Sequence, residues 1–191
     1  KFSISFYSST TQTPHNITGR SGGFFAGWMD NELSSSFDLI YMHYSSGFTL
    51  APGWYDLGVG ATDPIGVNHQ DFNLVADGSG GFYAVFVSTL PYSNVYITHA
   101  VSGGNNVYPS LQDLGTSFFA PFLSAPPAIS DGSGGVIVFG YNLYGIPRVL
   151  RATSSGVIAA RWPANGALAS GYQGGLLMGV TDGNHGAIAG W

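Results

Sequence analysis

Three aspartates recur in one short context: Asp77-Gly78-Ser79-Gly80-Gly81, Asp131-Gly132-Ser133-Gly134-Gly135 and Asp182-Gly183-Asn184-His185-Gly186. Carboxylates among loop carbonyls are what calcium, a hard cation, selects. Each loop carries only one carboxylate, whereas a calcium loop alternates several, so the expected role is to accept hydrogen bonds from turn amides. Asp30 with Glu32, and Asp63 with Asp71, are the carboxylate pairs that could divide acid and base work in cleaving a polysaccharide. His15, His43, His69, His99 and His185 show no metal-ligand spacing. Gly132-Ser133-Gly134 is no nucleophile elbow, because a nucleophile need not be copied from repeat to repeat. No catalytic residue, metal or cofactor is assigned.

Aromatic rings carry the stronger binding signal. Tyr92, Tyr141, Tyr144 and Tyr172 fall in connections, outside the apolar runs. Flat rings stack on the apolar faces of sugars, and an adjacent Asn or Asp can bind hydroxyls. The expected ligand site comprises Asp30, Glu32, Tyr92, Tyr141, Asn142 and Tyr144, at the strand ends away from the glycine loops. Those glycine loops are repeated, whereas the opposite connections differ in length and composition and are free to specialise. The same tyrosines could instead cover sheet edges or contact a neighbouring subunit. Asn16-Ile17-Thr18 is the one glycosylation sequon, with Asn16 as acceptor.

An internal repeat must position these residues. Segments starting at Ile17, Val75, Ile129 and Val180 align, and their second glycines, Gly23, Gly81, Gly135 and Gly186, are 58, 54 and 51 residues apart. The first segment has Gly19-Arg20 in place of the aspartate. Each glycine loop predicts a tight hairpin joining a first strand to a second. The second strand is nearly unbroken in apolar residues, as in Phe82 to Val87 and Val136 to Phe139, which implies burial on both faces. A third strand is expected at Leu39 to Met42, Asn94 to Thr98 and Arg148 to Ala152. A fourth is expected to carry Trp54 or Trp162. Trp191 aligns with Trp28 and is expected in the core.

Four strands in a unit of roughly 50 residues are the dimensions of a propeller blade. Asp131 to Gly135, Asp182-Gly183 with Gly186 and Trp191, and Trp162-Pro163-Ala164-Asn165-Gly166 resemble the repeats of bacterial secreted β-propellers. The resemblance implies an all-β propeller or propeller fragment. Its repeats fall near 12–68, 69–124 and 125–172, with a partial one at 173–191 that residues 1–11 could complete. A closed four-bladed ring and a piece of a larger propeller both remain open. The resemblance also places a ligand face on the second-to-third-strand connections and inter-blade links. The loops are similar to the Asp-box of sialidases too, but with Gly132 directly beside Asp131 the spacing differs, and no sialidase activity is implied.

Composition narrows the partners. Of 191 residues only 8% are charged, the net charge is −5 and the few basic residues are scattered, which argues against nucleic acid. No apolar run reaches the length of a membrane-spanning helix. The absence of Cys excludes a disulfide framework. The chain starts at Lys1 with no signal-peptide pattern, so the expectation is a secretion signal already removed and an extracellular or cell-surface location. The expected function is a non-catalytic surface or secreted module that binds a glycan. The alternatives are a structural subunit of a surface layer, filament or virion, in contact with other subunits, and a polysaccharide hydrolase or lyase.

Overall fold

The computed structural model describes residues 13–20, 22–30, 38–54, 59–60, 69–88, 94–101, 103, 112–114, 125–175 and 178–191. Among these, regular structure is entirely β. The first sheet comprises β1 (Thr13–Arg20), β2 (Gly23–Asp30), β3 (Asp38–Ser45) and β4 (Val59–Gly60). The second comprises β5 (His69–Ala76), β6 (Phe82–Ser88), β7 (Asn94–Ala100) and β8 (Gln112–Asp113). The third comprises β9 (Ala128–Ser130), β10 (Val136–Tyr141), β11 (Pro147–Ala152) and β12 (Ala167–Leu168). A fourth pairs β13 (Met178–Thr181) with β14 (Ala187–Gly190). Every sheet is an antiparallel meander whose spatial order follows the sequence.

The unbroken apolar second strands have the cause their sequence predicts. All described side chains of β6 and every one of β10 are buried, because successive residues of a strand point to opposite faces and both faces are covered. Phe25, Met29 and Tyr41 of the first sheet pack on Phe72, Phe82, Ala84 and Phe86 of the second. The other face of the second sheet, with Tyr83, Val85 and Ile97, packs on Val136, Val138 and Leu150 of the third. Ile137, Phe139 and Val149 of the third then meet Ala187 and Ala189 of the fourth. Each fully buried Phe contributes about 2–3 kcal/mol through removal of its surface from water. First strands also adjoin one another in series, β1 beside β5, β5 beside β9 and β9 beside β13.

The joints between sheets set a large residue against a small one. Gly27 of β2 lies under Phe72 and Leu74 of β5, and a Cβ there would be 3.2 Å from a Leu74 methyl. At the corresponding place between the third and fourth sheets the sizes are exchanged. Phe139 of β10 covers Gly179 of β13 so closely that a Cβ would enter its ring. Val85 and Ala128, in the middle joint, share one cluster.

Two features differ from the expectations above. The first hairpin is one residue shorter than the others: Gly19 pairs with Phe24, while Ala76 pairs with Phe82 and Ser130 with Val136. Without an aspartate to hold a five-residue loop, the hairpin closes at the Arg20 and Gly23 pair, with Gly22 at φ +80°. The tryptophans, moreover, precede the fourth strand and lie outside it. Ala51-Pro52-Gly53-Trp54 is a turn in which the Trp54 N–H donates to the Ala51 carbonyl at 3.1 Å, with Gly53 at φ +85°. Pro followed by a left-handed Gly is the signature of a type II turn. Trp162 donates to Ala159 in the same way, with Arg161 in the left-handed position at φ +71°.

Candidate functional site

The strand ends of each sheet present two chemically different regions. At the glycine end, Asp131 Oδ1 accepts from the amides of Ser133 and Gly135 at 2.7 and 2.8 Å, and Oδ2 accepts from the Ser133 hydroxyl at 2.9 Å. Asp77 repeats the pattern with Ser79 and Gly81. Asp182 accepts from Asn184 and Gly186. These carboxylates are Asx-turn acceptors. The sequence reading missed their side-chain partners on the third strands. His99 Nε2 lies 2.9 Å from Asp77 Oδ2, and Arg151 Nε donates to Asp131 Oδ2 at 2.8 Å. His43, His99 and Arg151 occupy one register position, opposite Phe25, Tyr83 and Ile137. That recurrence on the third strand was the available signal. In the first sheet, which lacks the aspartate, the His43 ring packs on Phe25 and Trp54.

The same end is stitched from sheet to sheet. Tyr83 Oη donates to the Gly134 carbonyl, His99 Nδ1 lies 3.2 Å from the Ser154 carbonyl, and His185 Nδ1 lies 3.2 Å from the Asp131 carbonyl. His185 takes the left-handed position, φ +64°, that Gly80 and Gly134 fill in the other loops. Asp71, paired with Asp63 in the sequence reading, accepts from the amides of Phe72 and Ala125 and so ties β5 to the start of the third sheet. Asp63 lies outside the described residues.

Burial acts to raise the Asp77 carboxyl, but the His99 ring, the Ser79 hydroxyl and the Ser79 and Gly81 amides outweigh it and hold the group below its ordinary 3.8. At Asp131 burial is again outweighed, here by the Ser133 and Gly135 amides with Arg151 and the Ser133 hydroxyl. A carboxyl depressed by folding contributes stability that is fully present above its unfolded pKa and is lost as pH falls through the folded one. The urea midpoint is therefore expected to be level from neutrality down to about pH 5 and to fall below about pH 4. An Asp77→Asn, Asp131→Asn double variant should start less stable and show a flatter acid limb. An equally steep limb in the variant would exclude these two carboxylates as its source.

Of the predicted ligand residues, Asp30, Tyr141, Asn142 and Tyr144 lie at the opposite strand ends. Glu32 and Tyr92 lie outside the described residues. Asp30 closes β2, paired with Asp38, and Asn16 lies within β1, paired with Gly27. Tyr141 is 8% exposed, with its hydroxyl donating to the Gly175 carbonyl, so it anchors the link after β12. Asn142 Oδ1 accepts from the amides of Tyr144 and Ile146 at 2.9 and 3.0 Å and fixes the β10–β11 turn. On that turn Tyr144 is 74% exposed.

The link after β12 lies against this turn, with the Gly174 N–H donating to the Gly145 carbonyl at 3.2 Å. It presents Tyr172, 83% exposed. Trp191, expected in the core, is 55% exposed, because β14 pairs only with β13 and no third strand covers it among the described residues. Its indole lies over Gly174, where an added Cβ would be 3.2 Å from Cδ1. Tyr144, Tyr172 and Trp191 thus project from segments in mutual contact. Their turns are fixed by backbone hydrogen bonds, which is the pre-organisation that a stacking site needs. Compared with known proteins, the chain matches no family model and no curated protein.

Proposed function

We propose that the sheets are blades of a β-propeller and that the protein is an extracellular, non-catalytic module that holds a glycan at the Tyr144, Tyr172 and Trp191 corner. The four-stranded meanders, the series of adjoining first strands and the face-to-face stacking of successive sheets support the propeller. The observation that carries the binding reading is the exposure of three aromatic rings on fixed, contacting segments, at the end away from the glycine loops. Large exposed rings in one place are uncommon on a surface that serves no partner.

The test is a glycan array, followed by a Tyr144→Ala, Tyr172→Ala double variant. Each stack contributes on the order of 1 kcal/mol, so the double variant should bind a hit at least about tenfold more weakly. Unchanged affinity would remove the corner from the reading.

A second reading, a structural subunit of a surface layer, filament or virion, is favoured by the outer face of the fourth sheet. There Met178, Val180 and Ile188 are all exposed. It predicts a native particle several times the 20.0 kDa chain mass, and a monomer in light scattering would refute it.

A further inference from the structure

The described segments that build the aromatic corner carry no charged side chain. Residues 141–147, 169–175 and 186–191, which build it, include no Asp, Glu, Lys, Arg or His. The neighbouring Arg148 turns its guanidinium elsewhere, with Nη1 donating to the Gly166 carbonyl at 3.1 Å. Uronates, sialic acids and sulfated sugars present charge, which proteins meet with guanidinium, ammonium or converging amides, because an unpaired anion held against a surface forfeits its hydration. The Tyr144 and Ile146 amides are already given to Asn142 Oδ1 and do not face an anion. What remains is ring faces and the exposed side chain of Gln173, whose amide carbon lies 4.0 Å from where a Gly145 Cβ would be.

We infer that the ligand is a neutral polysaccharide, whose pyranose rings stack their C–H faces on Tyr144, Tyr172 and Trp191 while the Gln173 amide bonds a hydroxyl. This rests on the glycan reading above and adds the chemical class. Rings on two adjoining segments and on a strand end suit a run of at least two sugar units more than a single terminal sugar. Binding by stacking and neutral hydrogen bonds gains nothing from counter-ion release, so it is independent of salt.

Affinity electrophoresis separates the outcomes. The intact protein is run through gels containing β-glucan, xylan or mannan, and through gels containing polygalacturonate, alginate or heparin, each at low and high salt. Retardation by one or more neutral polymers, equal at both salt levels, is expected. A Tyr144→Ala, Tyr172→Ala variant should lose it and a Tyr144→Phe, Tyr172→Phe variant should keep it, since the ring and not the hydroxyl stacks. Both positions are exposed, and near-ultraviolet circular dichroism verifies that the variants remain folded. Retardation by anionic polymers alone, abolished by salt, would overturn the neutral class. If the Ala variant also lost that anionic binding, the glycan reading would survive without it. Neutral binding unaffected by the Ala variant would overturn the placement at this corner. No retardation by any polymer would overturn both.

Discussion

Replacing Gly135 with alanine is expected to destabilise the protein by about 3 kcal/mol, the upper range for forcing an extra carbon into a packed site. A Cβ there would be 2.5 Å from both the Ala152 carbonyl and Asp131 Oδ2. Neither can yield, because the carbonyl belongs to β11 and the carboxylate is fixed by Ser133, Gly135 and Arg151. Gly81 meets the equivalent pair, the Ala100 carbonyl and Asp77, and Gly81→Ala should cost as much. The three atoms nearest a Gly186 Cβ all belong to Asp182, and among the described residues no third strand pairs with β14. Gly186→Ala should therefore be the mildest of the three. Urea unfolding followed by tryptophan fluorescence checks this ranking, and equal costs at Gly186 and Gly135 would show that the third strand is not what makes the glycine necessary.

The second large effect is expected at the joint between the third and fourth sheets. Gly179→Leu drives a side chain into the Phe139 ring, and Phe139→Gly empties a fully buried site; truncating a core Phe costs about 3–5 kcal/mol. Made together, the two changes reproduce the Gly27 and Leu74 pairing of the first joint. The double variant should then recover at least about 2 kcal/mol relative to the sum of the singles, a coupling within the range seen for residues in contact. Additive costs in the same unfolding assay would show that the joint is not a matched pair.

Local turn chemistry and strand parity made much of this fold legible in the sequence. Asp-Gly-Ser-Gly-Gly can do little else than turn, since Gly78, Gly80, Gly132 and Gly134 all take positive φ. The unbroken run Phe82 to Val87 required two covered faces. What was hidden depended on pairings that sequence spacing does not reveal. Aligning the repeats on Gly23 and Gly81 concealed the residue missing from the first hairpin, which only the strand register exposes. Fourth strands of two residues have no periodicity to read, so in the sequence only the nearby tryptophans mark their neighbourhood. At the candidate site, Tyr141 and Tyr144 are three residues apart, yet one ends a buried strand and the other crowns a turn. Trp191 was missed as a surface ring because its counterpart Trp28 is covered.

The alternation of large and small residues across the joints bears on how such a chain can change by recombination. Exact loss of the second sheet would set Gly27 of the first against Ala128 of the third, two small residues facing a void. Loss of the third would set Val85 against Gly179, again underfilled. The units share a backbone plan but are not exchangeable parts, because the second and third are each cut to the neighbours on both sides. A lineage that gains or drops one unit must refit a joint by point mutation before the new array is as stable as the old, so the number of units is held by side-chain volume.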